Sequence, residues 1–257
     1  MSSETTSARG KPTAGRGQAE DLYTRIYVWQ WPIRLFHWTN AAAVTTLFVT
    51  GLLIAFPSLT STGEPWEVLT VAKIRKIHFI AAFVFLIGFC WRVFWFYMGN
   101  RYARSGMPRP WRKAWWSDLF EQAWHYLSLE FGTPHAGHNS LAGLSYTIFV
   151  IALGWFQIFT GFAMYSENQP DGLWAGLTGW VLPLLGGSAR VHALHHLGAW
   201  LFLVFVILHL YIVFLDARQY RNGLIVSMIT GFKFKRTRKA DSGPASGHGP
   251  GKDELKE

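Results

Sequence analysis

Cysteine is almost missing from this sequence: Cys90 stands alone among 257 residues. A disulfide framework and a cysteine-based metal site are both excluded by that count. Cys90 lies inside an apolar run and reads as a small buried hydrophobe. Charge is scarce as well. Asp, Glu, Lys and Arg make up 15% of the chain, where a soluble domain carries about 25%, so much of the surface is not built to meet water. The first 25 residues contain no apolar stretch, which excludes a signal peptide there. They are polar and read as a disordered cytoplasmic tail, as do residues 236–257, which are rich in Gly, Ser, Pro, Lys and Glu. Lys252-Asp-Glu-Leu255 stops two residues short of the end and is not read as a retrieval signal, which must be terminal.

What fills the chain is apolar: 50% hydrophobic and 17% aromatic residues. Four runs stand out, from about Leu35 to Phe56, Ile77 to Met98, Leu141 to Tyr165, and Leu194 to Leu215. Each has roughly the 20 residues that cross a bilayer as a helix. The sequence leaves no amphipathic helices to cover four such runs inside a soluble protein. The fold expected is therefore an all-α membrane protein, a four-transmembrane-helix bundle formed by residues 26–235.

The net charge of +9 belongs to the flanks of these runs and not to one patch, which argues against nucleic acid as a partner. Basic residues crowd the N-terminal flank (Arg25, Arg34), the second loop (Arg101 to Lys113) and the C-terminal flank (Arg218 to Lys239). The opposite loops carry only Lys73, Arg75, Lys76 and Arg190. The positive-inside bias then puts both termini in the cytoplasm, with helices one and three running outward. Within the second loop, Trp111, Trp115, Leu119 and Gln122 form one helical stripe beside Trp116, Phe120, Trp124 and Leu127. Residues 111–131 are therefore expected as a helix in the cytoplasmic interface, with a soluble loop as the competing reading. Leu224 to Phe234 is a shorter segment of the same kind.

Ten histidines are the informative feature, because ionisable side chains inside a membrane segment are costly and mark function. His195 and His209 are 14 residues apart on helix four. At 100° per residue they fall about 40° short of four full turns, so they share a face, roughly 21 Å apart along the axis. His192 and His196 point more than about 90° away from that face. His37 opens helix one on the cytoplasmic side and His78 opens helix two on the outer side. Depth thus pairs His37 with His209 and His78 with His195. Two imidazoles from two helices are a common way to hold a redox haem. With no C-x-x-C-H motif, both haems would be b-type, held without covalent attachment. Zinc is disfavoured, since its ligands gather in one tetrahedral site. His125, His135, His138, His192 and His196 have no partner at their depth and read as interface or loop residues, and His248 as tail.

Glycine and arginine add candidates. Gly51 lies 14 residues after His37 on the same face, level with the outer haem, where a side chain would obstruct the porphyrin. Helix three has Gly143, Gly154 and Gly161, and its Thr160-Gly161 echoes Thr50-Gly51. Haem contact and close helix packing are both open for these glycines. Arg92, 14 residues after His78, suits either a haem propionate or snorkelling to the interface.

The sequence resembles the b-type cytochrome subunit of membrane-bound nickel–iron hydrogenases over residues 23–235. Arg34-Leu-Phe-His37-Trp38 with Thr50-Gly51 carries part of the likeness. His192-Ala-Leu-His195-His196 with Trp200, Phe205 and His209 carries more of it, and Gly137-His138-Asn139-Ser-Leu-Ala also matches. The first motif is shared with formate dehydrogenase membrane subunits. The resemblance implies two haem b groups on His37, His78, His195 and His209. It also implies an outer partner, a nickel–iron large subunit with an iron–sulfur small subunit anchored by its own C-terminal helix. Electrons from hydrogen would reach the outer haem, then the inner haem, then a membrane quinone in the cytoplasmic membrane. On this reading the chain performs electron transfer and no bond chemistry of its own. His138 and Asn139, just before helix three, are candidates for the quinone site; a plain helix cap at Asn139 is the competing reading. A formate dehydrogenase cytochrome, a free-standing cytochrome b561 and a haem-free transporter are the alternative functions.

Overall fold

The computed structural model describes residues 22–56, 65–104, 107–129, 139–220 and 223–237. His135, His138, His248 and most of both tails lie outside these residues. The chain opens with strand β1 (Leu22–Tyr27) and then helix α1 (Trp31–Ala55), which has Pro32 in its first turn. Proline is tolerated there because its missing N–H would have no helical partner. Helix α2 (Pro65–Met98) returns. After a short 3-10 turn comes α3 (Lys113–Ser128). The third long element is composite: α4 (Ser140–Ser145), a π-helical stretch over Tyr146–Ala152, and α5 (Leu153–Ser166). Two short helices follow, α6 (Leu173–Thr178) and α7 (Val181–Leu184). The fourth long helix is α8 (Ser188–Tyr220); then come α9 (Leu224–Thr230) and strand β2 (Phe232–Thr237).

Four helical stretches, Trp31–Ala55, Thr70–Met98, Ser140–Ser166 and Ser188–Tyr220, are long and apolar enough to cross a membrane. They match the four expected runs, with α2 and α8 extended toward their N-termini. Their side chains show why: Ile87, Tyr97 and Phe214 are about two-thirds exposed or more, as helices hydrophobic on every side require an apolar solvent. Cys90 is also exposed, which corrects its reading as a buried residue. It sits on the outward face of α2, where lipid rather than a core would surround it.

The core is narrow and aromatic. Ala43, Phe85, Phe89, Ile158, Phe162 and Phe202 meet from α1, α2, α5 and α8. Phe85 packs against Phe89 and Phe202 with ring centres 5.1 and 6.3 Å apart. Phe89 is seated over Gly154, where an added Cβ would come within 2.3 Å of its ring. For Gly154, close packing is thus the reading the structure gives. Gly143 is buried in the short α4.

The bundle is not purely helical. β1 and β2 pair antiparallel, from Leu22 opposite Thr237 to Tyr27 opposite Phe232. The sheet includes Leu22 to Arg25 and Arg236 to Thr237, stretches expected in the tails. Arg25 lies 3.6 Å over the Phe232 ring, a cation–π contact. Gly231, at φ +89°, turns the chain from α9 into β2, and its carbonyl accepts from Val28 and Trp29 N–H. Leu224 to Phe234 is therefore a short helix, a turn and the start of a strand. The pairing brings both described ends of the chain to one end of the bundle, the sheet end. α1 starts and α8 finishes there; the far end holds the starts of α2 and α8.

α3 carries the expected stripe from Trp115 onward, whereas Trp111 precedes the helix in a turn and is exposed. Trp115, Leu119 and Gln122 are buried, while Trp116, Phe120, Trp124 and Leu127 are exposed. It is stitched to the long helices: Asp118 accepts from Ser140 N–H at 3.1 Å and the Tyr126 hydroxyl donates to Asp216 at 3.1 Å. Burial and the Asp216 charge push the Tyr126 phenol up, so it stays a donor.

Candidate haem-binding site

Two places in the bundle bring histidines together. At the far end, His78 on α2 meets Thr50 on α1. The Thr50 hydroxyl lies 2.6 Å from the Thr46 carbonyl, to which it donates. Its oxygen is 2.9 Å from His78 Nδ1. Since the hydroxyl has one proton, it must accept from the imidazole, which places the ring proton on Nδ1 and leaves the Nε2 lone pair free. Helix three repeats the device on helix four. The Thr160 hydroxyl donates to the Phe156 carbonyl at 2.7 Å and lies 2.8 Å from His195 Nδ1. His78 and His195 sit at the same end of the bundle, each seated on a threonine of a neighbouring helix.

The glycine after each threonine lies beside the ring. A Cβ on Gly51 would lie 3.5 Å from His78 Cε1, and one on Gly161 would lie 3.1 Å from His195 Cε1. Gly161 thus lies tight against the His195 ring, and Gly51 lies in ordinary van der Waals contact with the His78 ring. The repeated Thr-Gly pair was visible in the sequence; the hydrogen bonds to histidine were not, because they join residues 28 and 35 positions apart.

At the sheet end, His37 on α1 faces His209 on α8, with ring centres 6.3 Å apart and planes at 50°. His209 stacks on Phe205 at 5.8 Å, and Phe205 stacks on Phe149 of the π-helical stretch at 5.3 Å. The Trp38 ring stands edge-on to His37 at 5.0 Å. His37 Nδ1 is buried with no hydrogen-bond partner among the described residues.

These features fit haem with axial histidines. Two imidazoles bound to one metal through nitrogens at about 2.0 Å have ring centres roughly 6 Å apart, which the His37–His209 pair shows. Among the described residues no three His, Cys, Asp or Glu side chains converge on one point, which suits paired axial ligation and not a tetrahedral zinc site. His125, His192 and His196 have local partners instead: Glu121, Ser188 and Trp200.

With the four histidines so arranged, the family comparison decides the class. A family model described as prokaryotic cytochrome b561 matches residues 28–231. The chain belongs to that family. It is 39% identical over 221 residues to the probable Ni/Fe-hydrogenase B-type cytochrome subunit of Azotobacter chroococcum mcd 1, covering 85% of this chain and 92% of that one. It is 40% identical over 222 residues to the corresponding protein of Azotobacter vinelandii, with 85% and 92% covered. The probable Ni/Fe-hydrogenase 1 B-type cytochrome subunit of Escherichia coli (strain K12) is 32% identical over 223 residues, with 84% and 94% covered. The resemblance drawn from the motifs is therefore borne out. This cytochrome b561 family member is a multi-pass membrane protein, and a b-type cytochrome carries haem b.

Two other expected site residues have structural partners in this cytochrome b561 family member. Arg92 donates to the Ala103 carbonyl at 2.9 Å and lies 5.3 Å from the Tyr146 ring centre. It joins α2 to the 3-10 turn and to the third span. The Asn139 side chain caps α4, accepting from Ala142 N–H at 2.7 Å, and donates to Gln122 at 3.2 Å. The first bond is a helix cap, and the second ties α4 to α3. His138 is outside the described residues. A groove of about 510 Å³ between α1 and α2 is lined by Thr39, Ala42, Thr46 and Ile80 among others. Its α1 residues lie about 140–240° around the helix from His37, so it opens on a different face of α1 from that histidine.

Proposed function

We propose that this chain is the di-haem cytochrome b of a nickel–iron hydrogenase, anchoring the enzyme and passing its electrons across the membrane to quinone. The observation that carries the reading is the doubled histidine arrangement, one pair facing at the sheet end and one Thr-seated pair at the far end. His37 with His209, and His78 with His195, would hold the two haems. Haem, when bound, supplies a one-electron couple that no side chain here possesses.

The chain's own residues do the rest. Helix α8 spaces the two ligand levels by roughly 21 Å, most of a bilayer core. The threonine hydroxyls fix the tautomer and orientation of His78 and His195. The aromatic stack on Phe205 orients His209. The apolar spans exclude water from both sites.

The charge pattern supports a cytoplasmic sheet end. Arg25, Arg34, Arg218 and Lys233 lie there, against Lys73, Arg75, Lys76 and Arg190 at the far end. Both termini are then cytoplasmic, and α3 lies in the cytoplasmic interface with its exposed tryptophans toward headgroups. The far end faces the iron–sulfur small subunit and large subunit of the hydrogenase. Quinone is reduced near the sheet end, beside His209. The relatives' names, which tie them to Ni/Fe hydrogenase, support the choice of partner.

Purification of the intact membrane complex with metal analysis tests this. Nickel and iron–sulfur iron co-purifying with two haem b per chain is the expected result. Molybdenum in place of nickel would make it a formate dehydrogenase-type subunit. A chain isolated with haem but no partner would make it a free-standing cytochrome, and a colourless chain would exclude both.

A further inference from the structure

The two histidine levels differ in how the ring N–H groups are used. At the far end both imidazoles donate from Nδ1 to a threonine hydroxyl, at 2.9 and 2.8 Å. Each hydroxyl is itself fixed by donation to a helix carbonyl. Both threonines are buried, Thr160 completely. At the sheet end His37 Nδ1 has no partner among the described residues, and His209 has an aromatic ring, Phe205, against its face.

Donation from Nδ1 makes Nε2 a stronger electron donor to a bound metal. A stronger donor favours the more positive metal, ferric over ferrous. We infer that Thr50 and Thr160 are positioning residues that lower the potential of the far-end haem relative to the sheet-end haem. The inference rests on the di-haem reading above. Its consequence is a built-in direction. One electron leaves ferrous iron at the far end, ferric iron at the sheet end accepts it, and both Nδ1 protons stay in place. Transfer from the hydrogenase side toward quinone is then downhill through hydrogen bonding alone.

The test is a potentiometric titration of the purified, haem-loaded protein. Thr50→Val and Thr160→Val remove the hydroxyl acceptor while keeping shape, leaving His78 only the Leu47 carbonyl; Thr50→Ser and Thr160→Ser keep the hydroxyl. Thr45→Val is the control, because the Thr45 hydroxyl is exposed and bonds only within α1, to Ala41. A His209→Ala background assigns the far-end component. The valine double variant is expected to raise the far-end potential by about tenfold in the ferric-to-ferrous ratio, or 59 mV for one electron. The sheet-end component should stay put, and the serine variants should match the parent.

An unmoved far-end potential, or equal movement of both components, overturns the inference. If valine costs the far-end haem, Thr50→Cys and Thr160→Cys, whose thiols accept weakly, carry the same two outcomes. Loss of that haem from the serine variants as well would also overturn it. A protein lacking haem from the start would instead sink the di-haem reading, whereas a haem-replete protein with fixed potentials sinks only this one.

Discussion

Alanine at the two threonine-linked glycines should have unequal effects. A methyl at position 51 would lie 3.5 Å from His78 Cε1, an ordinary contact, while one at position 161 would lie 3.1 Å from His195 Cε1. The second is tighter than a carbon–carbon contact at its optimum of about 3.5–4.0 Å, so the imidazole must retreat by a few tenths of an ångström. That movement stretches the 2.8 Å Thr160–His195 bond, whose loss costs about 0.5–1.5 kcal/mol. Set against this is the gain of up to about 1 kcal/mol when glycine becomes alanine inside a helix. Gly51→Ala should therefore leave thermal stability unchanged or slightly raised, with full haem content. Gly161→Ala should gain nothing and lose occupancy at the far end. Haem per chain by pyridine haemochrome, with a melting curve, reads both. Equal haem loss in the two variants would refute the imidazole argument and restore the view that these glycines make room for the porphyrin itself.

Other expectations follow from the same geometry. His209→Ala should lose the sheet-end haem and keep the other; a variant still showing two bis-histidine spectra would show the pairing to be wrong. Gly154→Ala places a methyl 2.3 Å from the buried Phe89 ring and should destabilise the bundle by about 1–3 kcal/mol as an overpacked core does, measured by thermal aggregation in detergent. Burial lowers the Lys233 ammonium to about 8, an effect partly opposed by Asp216. The unfolded chain holds that proton up to about 10.4, so between these values it binds more protons than the folded chain and stability should rise with pH. Below pH 8 the penalty is constant. Lys233→Met should abolish the slope between pH 8 and 10.4, and an identical slope in both proteins would mean that another group is responsible.

Much of this architecture was legible because its signals are local. Four charge-poor runs of bilayer length announce the spans, and a 14-residue spacing puts His195 and His209 on one face at two depths. The stripe of Trp115, Leu119 and Gln122 foretold the buried side of α3. What escaped depends on contacts between distant positions. The strand pairing joins Leu22 to Thr237 across nearly the whole chain, although the alternation in Phe232-Lys-Phe-Lys235 was a usable period-two signal. Arg92 met a backbone carbonyl in the adjoining turn, which charge and depth alone do not predict. The π-helical stretch at Tyr146–Ala152 has no sequence signature that we could read, yet it carries Phe149 into the stack that supports His209.

Two haem levels on four named histidines underlie the proposed function. Redox-poised optical and low-temperature electron paramagnetic resonance spectra of the intact purified protein test it most directly. Two low-spin bis-histidine haem b signals per chain are expected, titrating separately, with His78→Ala and His209→Ala each removing a different one. A single haem, or one signal lost identically in both variants, would contradict it.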